Sequence, residues 1–329
     1  MEFPRRRFLH LALGAAALPA APGFAMADTY PSRPITVIVP FAAGGPTDFL
    51  IRTIGEPMRA SLGQPLINEN VTGAAGTIGV TRAVRAAPDG YSVSIGHWST
   101  HVINGALYPL TFDLLTDLEP ISLLTSYPMV LLANNSVPAK DLRELITWLK
   151  ANQDKVSVAT IGVGSAAHVA GVYFENLAGL KLQFVPYRGG GPALQDLMGG
   201  QVQVYFDHIS SALPQVRDGR VKAYAVTAKT RSPAAPDIPT VDEVGLPGLY
   251  VNIWYGMWVP KGTPADIKAK LNTAVRTALA DPGVNKKLSE LGQVIPPLDQ
   301  QTPAALAAYQ KAEIEKWWPI VKAANMKGE

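Results

Sequence analysis

Four short turns rich in glycine and serine hold most of the residues that are placed to meet a ligand: 41–48 (FAAGGPTD), 72–79 (TGAAGTIG), 161–168 (IGVGSAAH) and 187–192 (YRGGGP). Each lies between a strand-like run and a helical pattern. Each therefore leaves backbone N–H groups unpaired at a helix N-terminus, where the macrodipole also favours an anion. Glycine lets such groups converge and lets a ligand approach the backbone. One such turn is only a tight turn. Four of them, two in each half of the chain, point to a clamp for a small anion.

The side chains near these turns allow other chemistry. Ser165, His168 and Asp207 can be drawn as a hydrolytic triad, but G-x-S-x-G is absent, and Ser-x-x-His at a helix start more often describes capping and anion contact. His97 and His101 are four apart, a metal-binding spacing on a helix, yet no cysteine or carboxylate cluster accompanies them, so hydrogen bonding around a polar cleft is the simpler reading. Residues 162–167 (GVGSAA) fit a loose dinucleotide pattern, without the acidic residue expected at the end of the next strand. No phosphate-binding G-x-x-x-x-G-K-[ST] occurs. No cofactor and no metal are expected. Arg188, the one Lys or Arg in the four turns, either pairs with a carboxylate or faces solvent. Asp207 either accepts from a ligand or caps the next helix.

The elements that position these turns alternate strand and helix. Residues 35–40 (ITVIVP) read as a buried strand, 47–60 as a helix, and the pattern repeats through 65–70, 77–87 and 91–95. A second block of the same construction runs from about 141 to 226. Long apolar stretches at 121–133 and 250–260 flank it, and only helices follow. Those helices have no strands of their own and must return to the first sheet. The fold expected is α/β, with two lobes, each a mostly parallel sheet flanked by helices, and two crossover strands as hinge. The lobes are expected at 28–127 plus 251–329 and at 128–250.

Residues 1–27 read as a secretory leader: Arg5, Arg6 and Arg7, an apolar stretch, and Ala25-Met26-Ala27 before Asp28. The order Arg5-Arg6-Arg7-Phe8-Leu9-His10 fits the twin-arginine type, with an ordinary secretory signal as the alternative. The formal charge of +3 falls to about +1 without that leader, which removes the electrostatic basis for nucleic-acid binding. There are no cysteines, so burial alone must hold the fold in an oxidising compartment.

The ordered set 34–48 (PITVIVPFAAGGPTD), 70–79 (NVTGAAGTIG), 88–91 (PDGY), 186–193 (PYRGGGPA), Asp207 and 259–264 (VPKGTP) resembles the periplasmic solute receptors of tripartite tricarboxylate transporters, the Bug family. The resemblance runs from about Tyr30 to Lys322. It implies a Venus-flytrap fold, no enzymatic activity, a monomer in the periplasm, and two integral membrane transporter subunits as partners. It also implies that backbone N–H groups and small hydroxyls hold a small carboxylate, whether mono-, di- or aromatic. On this chain those positions are Ala42, Ala43, Gly44, Gly45, Thr47 and Asp48, then Gly73, Ala74, Ala75, Gly76 and Thr77. In the second half they are Gly164, Ser165, Ala166 and His168, then Tyr187, Arg188 and Gly189, with Asp207. The chain departs from the family at residues 97–98. There Trp98, with Thr100 and His101 just beyond it, either borders the pocket and stacks on an aromatic acid or packs on its own lobe.

Overall fold

A computed structural model of the chain describes residues 30–327. The proposed leader lies outside them. No helix among the described residues is long and apolar enough to cross a membrane.

The first lobe starts with β1 (Ile35–Val39), a β-branched run with buried side chains. It pairs in parallel with β2 (Leu66–Asn70) and with β3 (Ser92–His97). Between β1 and β2 lies α1 (Pro46–Leu62), with proline at its first position and Gly63 closing it in the left-handed conformation. Between β2 and β3 lies α2 (Thr77–Val84). After β3 a π-turn over Ser99–Ile103 leads into the short α3 (Asn104–Leu107).

The strand β4 (Leu118–Asn134) then leaves the first lobe and enters the second. There α4 (Leu142–Ala151) is capped by Asp141, whose carboxylate accepts from the Glu144 amide. Next come β5 (Ser157–Thr160), α5 (Ala166–Ala178), β6 (Gln183–Pro186), α6 (Gly190–Gly199), β7 (Val204–His208), α7 (Ile209–Arg217) and β8 (Val221–Val226). The return strand β9 (Asn252–Pro260) goes back to the first lobe. Three helices finish the chain: α8 (Ala265–Ala280), α9 (Pro282–Glu290) and α10 (Pro303–Ala323). As the strandless C-terminus requires, α8 packs on α1 and β4, and α10 on β4 and the π-turn.

The strand order is β2-β1-β3-β9-β4-β7-β5-β6, with β8 also on β4. Each lobe holds three parallel strands, β2-β1-β3 or β6-β5-β7. The strands at the crossover are antiparallel to their neighbours. The sheets are thus more mixed than the alternating pattern implies, because a strand shared between lobes enters the second from the side by which it left the first. The switch is sharp: Pro128 pairs with Asn252 of β9, and the next residue, Met129, pairs with His208 of β7. Thr227 pins this point. Its buried hydroxyl accepts from the Met129 amide at 2.9 Å and donates to the Val251 carbonyl at 2.7 Å.

Candidate functional site

A cavity of about 520 Å³ opens between the lobes at the edge where the parallel strands end. All four glycine-rich turns reach it. The first contributes Ala42, Gly45 and Thr47, the second Ala75, the third Gly164, Ser165 and Ala166, and the fourth Gly190. The N-termini of α1, α5, α6 and α7 therefore surround one space, the first from one lobe and the other three from the second. No Lys or Arg side chain lines it among the described residues. The positive potential comes from helix ends and free N–H groups alone.

Asp48 holds the first turn from behind. Its carboxylate accepts from the Gly44 amide at 3.0 Å, Arg52 Nε at 2.7 Å, Asn68 Nδ2 at 3.3 Å and Asn70 Nδ2 at 3.4 Å. Burial pushes its carboxyl up, but these four donors outweigh it and hold the pKa at about 2. Every acceptor direction is taken, so Asp48 shapes the turn and does not line the cavity. Ala43, Gly44, Gly73, Ala74, Gly76 and Thr77 also lie outside the lining.

In the third turn Ser165 caps α5 by accepting from the His168 amide at 3.2 Å. His168 Nδ1 in turn accepts from the Gly164 amide at 3.2 Å, and its ring packs edge-on against Phe184. Asp207 accepts from Ser211 Oγ at 2.6 Å and from the His208 amide at 2.7 Å. Ser165, His168 and Asp207 are thus occupied with three separate local tasks, and no triad is assembled. In the fourth turn the Tyr187 hydroxyl donates to Asp196 at 2.8 Å, Arg188 is exposed, and Gly189 precedes α6. None of these three, nor His168, lines the cavity.

Past β3 the chain divides its side chains between two directions. Trp98 is fully buried and meets Trp317 of α10 edge-on, with ring centroids 5.2 Å apart. It packs on its own lobe and does not border the cavity. Thr100 is buried beneath the turn, where its hydroxyl donates to the His97 carbonyl. His101 stacks on Trp258 with ring centroids 4.0 Å apart, and burial holds its pKa down at about 3. His97 faces the other way, into the cavity. The π-turn thus separates His97 from His101. No group of three or more metal-ligating side chains occurs among the described residues.

A row of five rings runs from one lobe to the other, and four of them, Phe41, His97, Tyr255 and His208, line the cavity. Phe41 meets His97 at 5.5 Å, His97 meets Tyr255 at 5.1 Å, Tyr255 meets Tyr127 at 6.0 Å, and Tyr127 meets His208 at 4.9 Å. Tyr127 and Tyr255 lie on the two crossover strands, their hydroxyls 3.4 Å apart. Burial lowers both cavity histidines, His97 to about 3 and His208 to about 4, with repulsion from His208 adding to the effect on His97. Burial raises Asp207 to about 6, against the opposing donors Ser211, the His208 amide and Tyr205. The cleft is thus largely apolar and carries neutral imidazoles at pH 7, with Asp207 as its one ionised side chain among the described lining residues.

Several lining residues carry no glycine signal: Ser99 and Asn104 beyond β3, Ser210 and Ser211 at the start of α7, and Tyr205 and Tyr255 on strands. The β7–α7 turn is discoverable from sequence, since it follows a parallel strand like the other turns. Tyr255 is not, because an apolar crossover stretch gives no sign of which side chains face the cleft.

Comparison with known proteins gives a consistent picture. A family model described as "Tripartite tricarboxylate transporter family receptor" matches residues 50–326. A protein encoded in the TAR-I ttuE-ttuC' intergenic region of Agrobacterium vitis is 38% identical over 299 residues, covering 91% of this chain and 86% of its own. Among solved structures, MatC from Rhodopseudomonas palustris with bound malate is 43% identical, with a TM-score of 0.78 over 89% of this chain and all (100%) of its own. An R. palustris protein solved with adipate is 29% identical, with a TM-score of 0.80 over 91% of this chain and 99% of its own.

Proposed function

The chain belongs to the tripartite tricarboxylate transporter receptor family, and from that premise we propose how this particular cleft captures a small carboxylate and passes it on. The protein is a periplasmic solute-binding receptor and not an enzyme. Malate and adipate, the solutes in the related structures, support short carboxylic acids as the ligand class of this chain. The leader at 1–27 delivers the protein to the periplasm, where it acts as a monomer. It hands its solute to two integral membrane subunits. Lobes at 28–127 plus 251–329 and at 128–250 close over the solute by turning at the crossover strands.

The observation that carries this reading is the convergence of four helix N-termini, drawn from both lobes, on a cavity without fixed cations. A carboxylate that enters exchanges water for preorganised N–H and O–H donors. Each such charge-assisted bond contributes about 1.5–3 kcal/mol. Donors reach the site from Thr47 on one side and from Ser165, Ala166 and Gly190 on the other, so the solute is fully partnered only when the lobes meet.

The test is a thermal-shift screen of the exported protein against malate, adipate, aromatic monocarboxylates and amino acids. A ligand that binds the native state alone raises the melting temperature. A β-carbon on Gly45 would already stand 3.3 Å from the Ala42 carbonyl, so Gly45→Val crowds the first turn at the cavity wall and displaces the groups it presents there. It is expected to remain folded and to lose the shift. A screen without any shift, or a Gly45→Val protein that binds as the wild type does, would overturn the proposal.

A further inference from the structure

His97 closes β3 in the first lobe, and His208 closes β7 in the second; both line the cavity. The Ser99 amide donates to His97 Nδ1 at 3.1 Å, and the Ser99 hydroxyl lies 2.8 Å from the same atom. A ring nitrogen that accepts from an amide N–H carries no proton. The proton of the neutral ring is therefore on Nε2. Nε2 has no protein partner among the described residues, and neither does any ring nitrogen of His208. Neither ring is among the side chains whose unpartnered polar atoms are sealed from solvent. Each lobe thus offers one unspent imidazole to a space in which no lysine or arginine waits for an anion.

Resting on the receptor reading, we propose that His97 and His208 recognise the solute directly, each giving a ring N–H to a carboxylate oxygen, and that each takes a proton from solvent as the anion is enclosed. The pair replaces the fixed cations that the cleft lacks. An enclosed anion stabilises the imidazolium form, which the apolar site by itself disfavours. At His97 the added proton goes to Nδ1, which gives up the Ser99 amide and donates instead to the Ser99 hydroxyl 2.8 Å away. Cation and anion then neutralise each other inside the closed cleft, and release of the solute returns the protons. The other titratable groups facing the pair are Asp207 beside His208, the hydroxyls of Tyr127, Tyr205 and Tyr255, and His101 behind His97. Of these, Asp207 is the group that also gains a proton near neutral pH when an anion approaches, so the test must separate it from the histidines.

Calorimetric titration with malate and with adipate, between about pH 6 and about pH 8 in two buffers of different ionisation enthalpy, reads affinity and proton uptake together. Wild-type protein is expected to bind roughly three- to tenfold tighter at the lower pH, with net proton uptake. His97→Leu is expected to weaken binding about tenfold at pH 7 and to lower the proton uptake. His97→Gln places an amide nitrogen where Nε2 stood, which can donate but cannot titrate. It is expected to recover most of the affinity at pH 8 and none of the lost uptake. His208→Gln is expected to behave in the same way. Affinity that ignores pH, or a pH dependence that vanishes in Asp207→Asn and persists in both glutamine variants, would refute the histidine pair and leave the receptor reading standing. Failure of both acids and of the whole carboxylate panel to bind would remove both.

Discussion

Leu107 of the first lobe packs against Gly164 of the second so closely that a β-carbon on Gly164 would stand 2.0 Å from Leu107 Cδ1. Gly164 also has φ +75°, a conformation that costs an L-residue energy. The two residues meet beside the cavity that Gly164 lines. Their contact measures how far the lobes have come together.

Gly164→Ala is therefore expected to hold the lobes apart and to weaken carboxylate binding about tenfold or more. Adding Leu107→Ala vacates the space and should restore part of that loss, the remainder being backbone strain. Calorimetry on the two single variants and the double variant checks this. Equal affinity in all three and in the wild type would count against the contact as part of closure.

Asp48 makes a second prediction, about acid. Its folded pKa of about 2 lies below the ordinary carboxylate value. A depressed carboxyl adds stability above its unfolded pKa and loses it as pH falls through its folded pKa. The window is thus about pH 4 down to about pH 2. Asp48→Asn removes the charge and is expected to flatten urea-unfolding stability over that window. It is also expected to cost about 1–3 kcal/mol at pH 7, since the donors from Gly44 and Arg52 lose their acceptor.

The buried histidines predict the opposite end of the acid limb. His97, His101 and His208 are all held below the usual imidazole value by burial. Their lowered pKa favours the fold above about pH 6.5 and withdraws that support as pH falls toward about 4. Asp207, raised to about 6, works in the other direction but is one group against three. The unliganded protein is expected to melt at a lower temperature at pH 5 than at pH 7.5. In His101→Phe, where the stacked ring contributes no titration, the difference should shrink.

Trp98 separates packing from recognition. Buried against Trp317, it is a core residue, and Trp98→Ala is expected to cost about 3–5 kcal/mol in chemical denaturation. Trp98→Phe is expected to cost less and to leave the ranking of aromatic and aliphatic acids in a binding screen as it was. A changed ranking would place the side chain in contact with the solute.

The alternation of strands and helices was legible because period and turn chemistry are local. Residues 35–39 are β-branched and flanked by Pro34 and Pro40, and Asp281 and Thr302 cap the helices they precede. The return of the last helices to the first lobe followed from their lack of strands. The strand directions at the crossover were not legible, since an apolar run such as 121–133 looks the same whichever partner it meets. At the site the turns were readable by their glycines, but which side of each turn faces the ligand was not. Asp48 and Ala75 sit in turns of similar composition, yet one is tied down from behind and the other borders the cavity. Trp98 and His97 are adjacent and point to different places because a π-turn begins there. Sequence spacing does not announce it.

A cleft that meets its anion with amide dipoles and uncharged imidazoles has little reach beyond contact. Dipolar fields fade faster than those of net charges, and no lysine or arginine lines the cleft among the described residues, so no attractive field gathers solute from afar. The same economy serves departure. Delivery at the membrane requires no permanent ion pair to be torn open, only that the lobes part and water return to the donors.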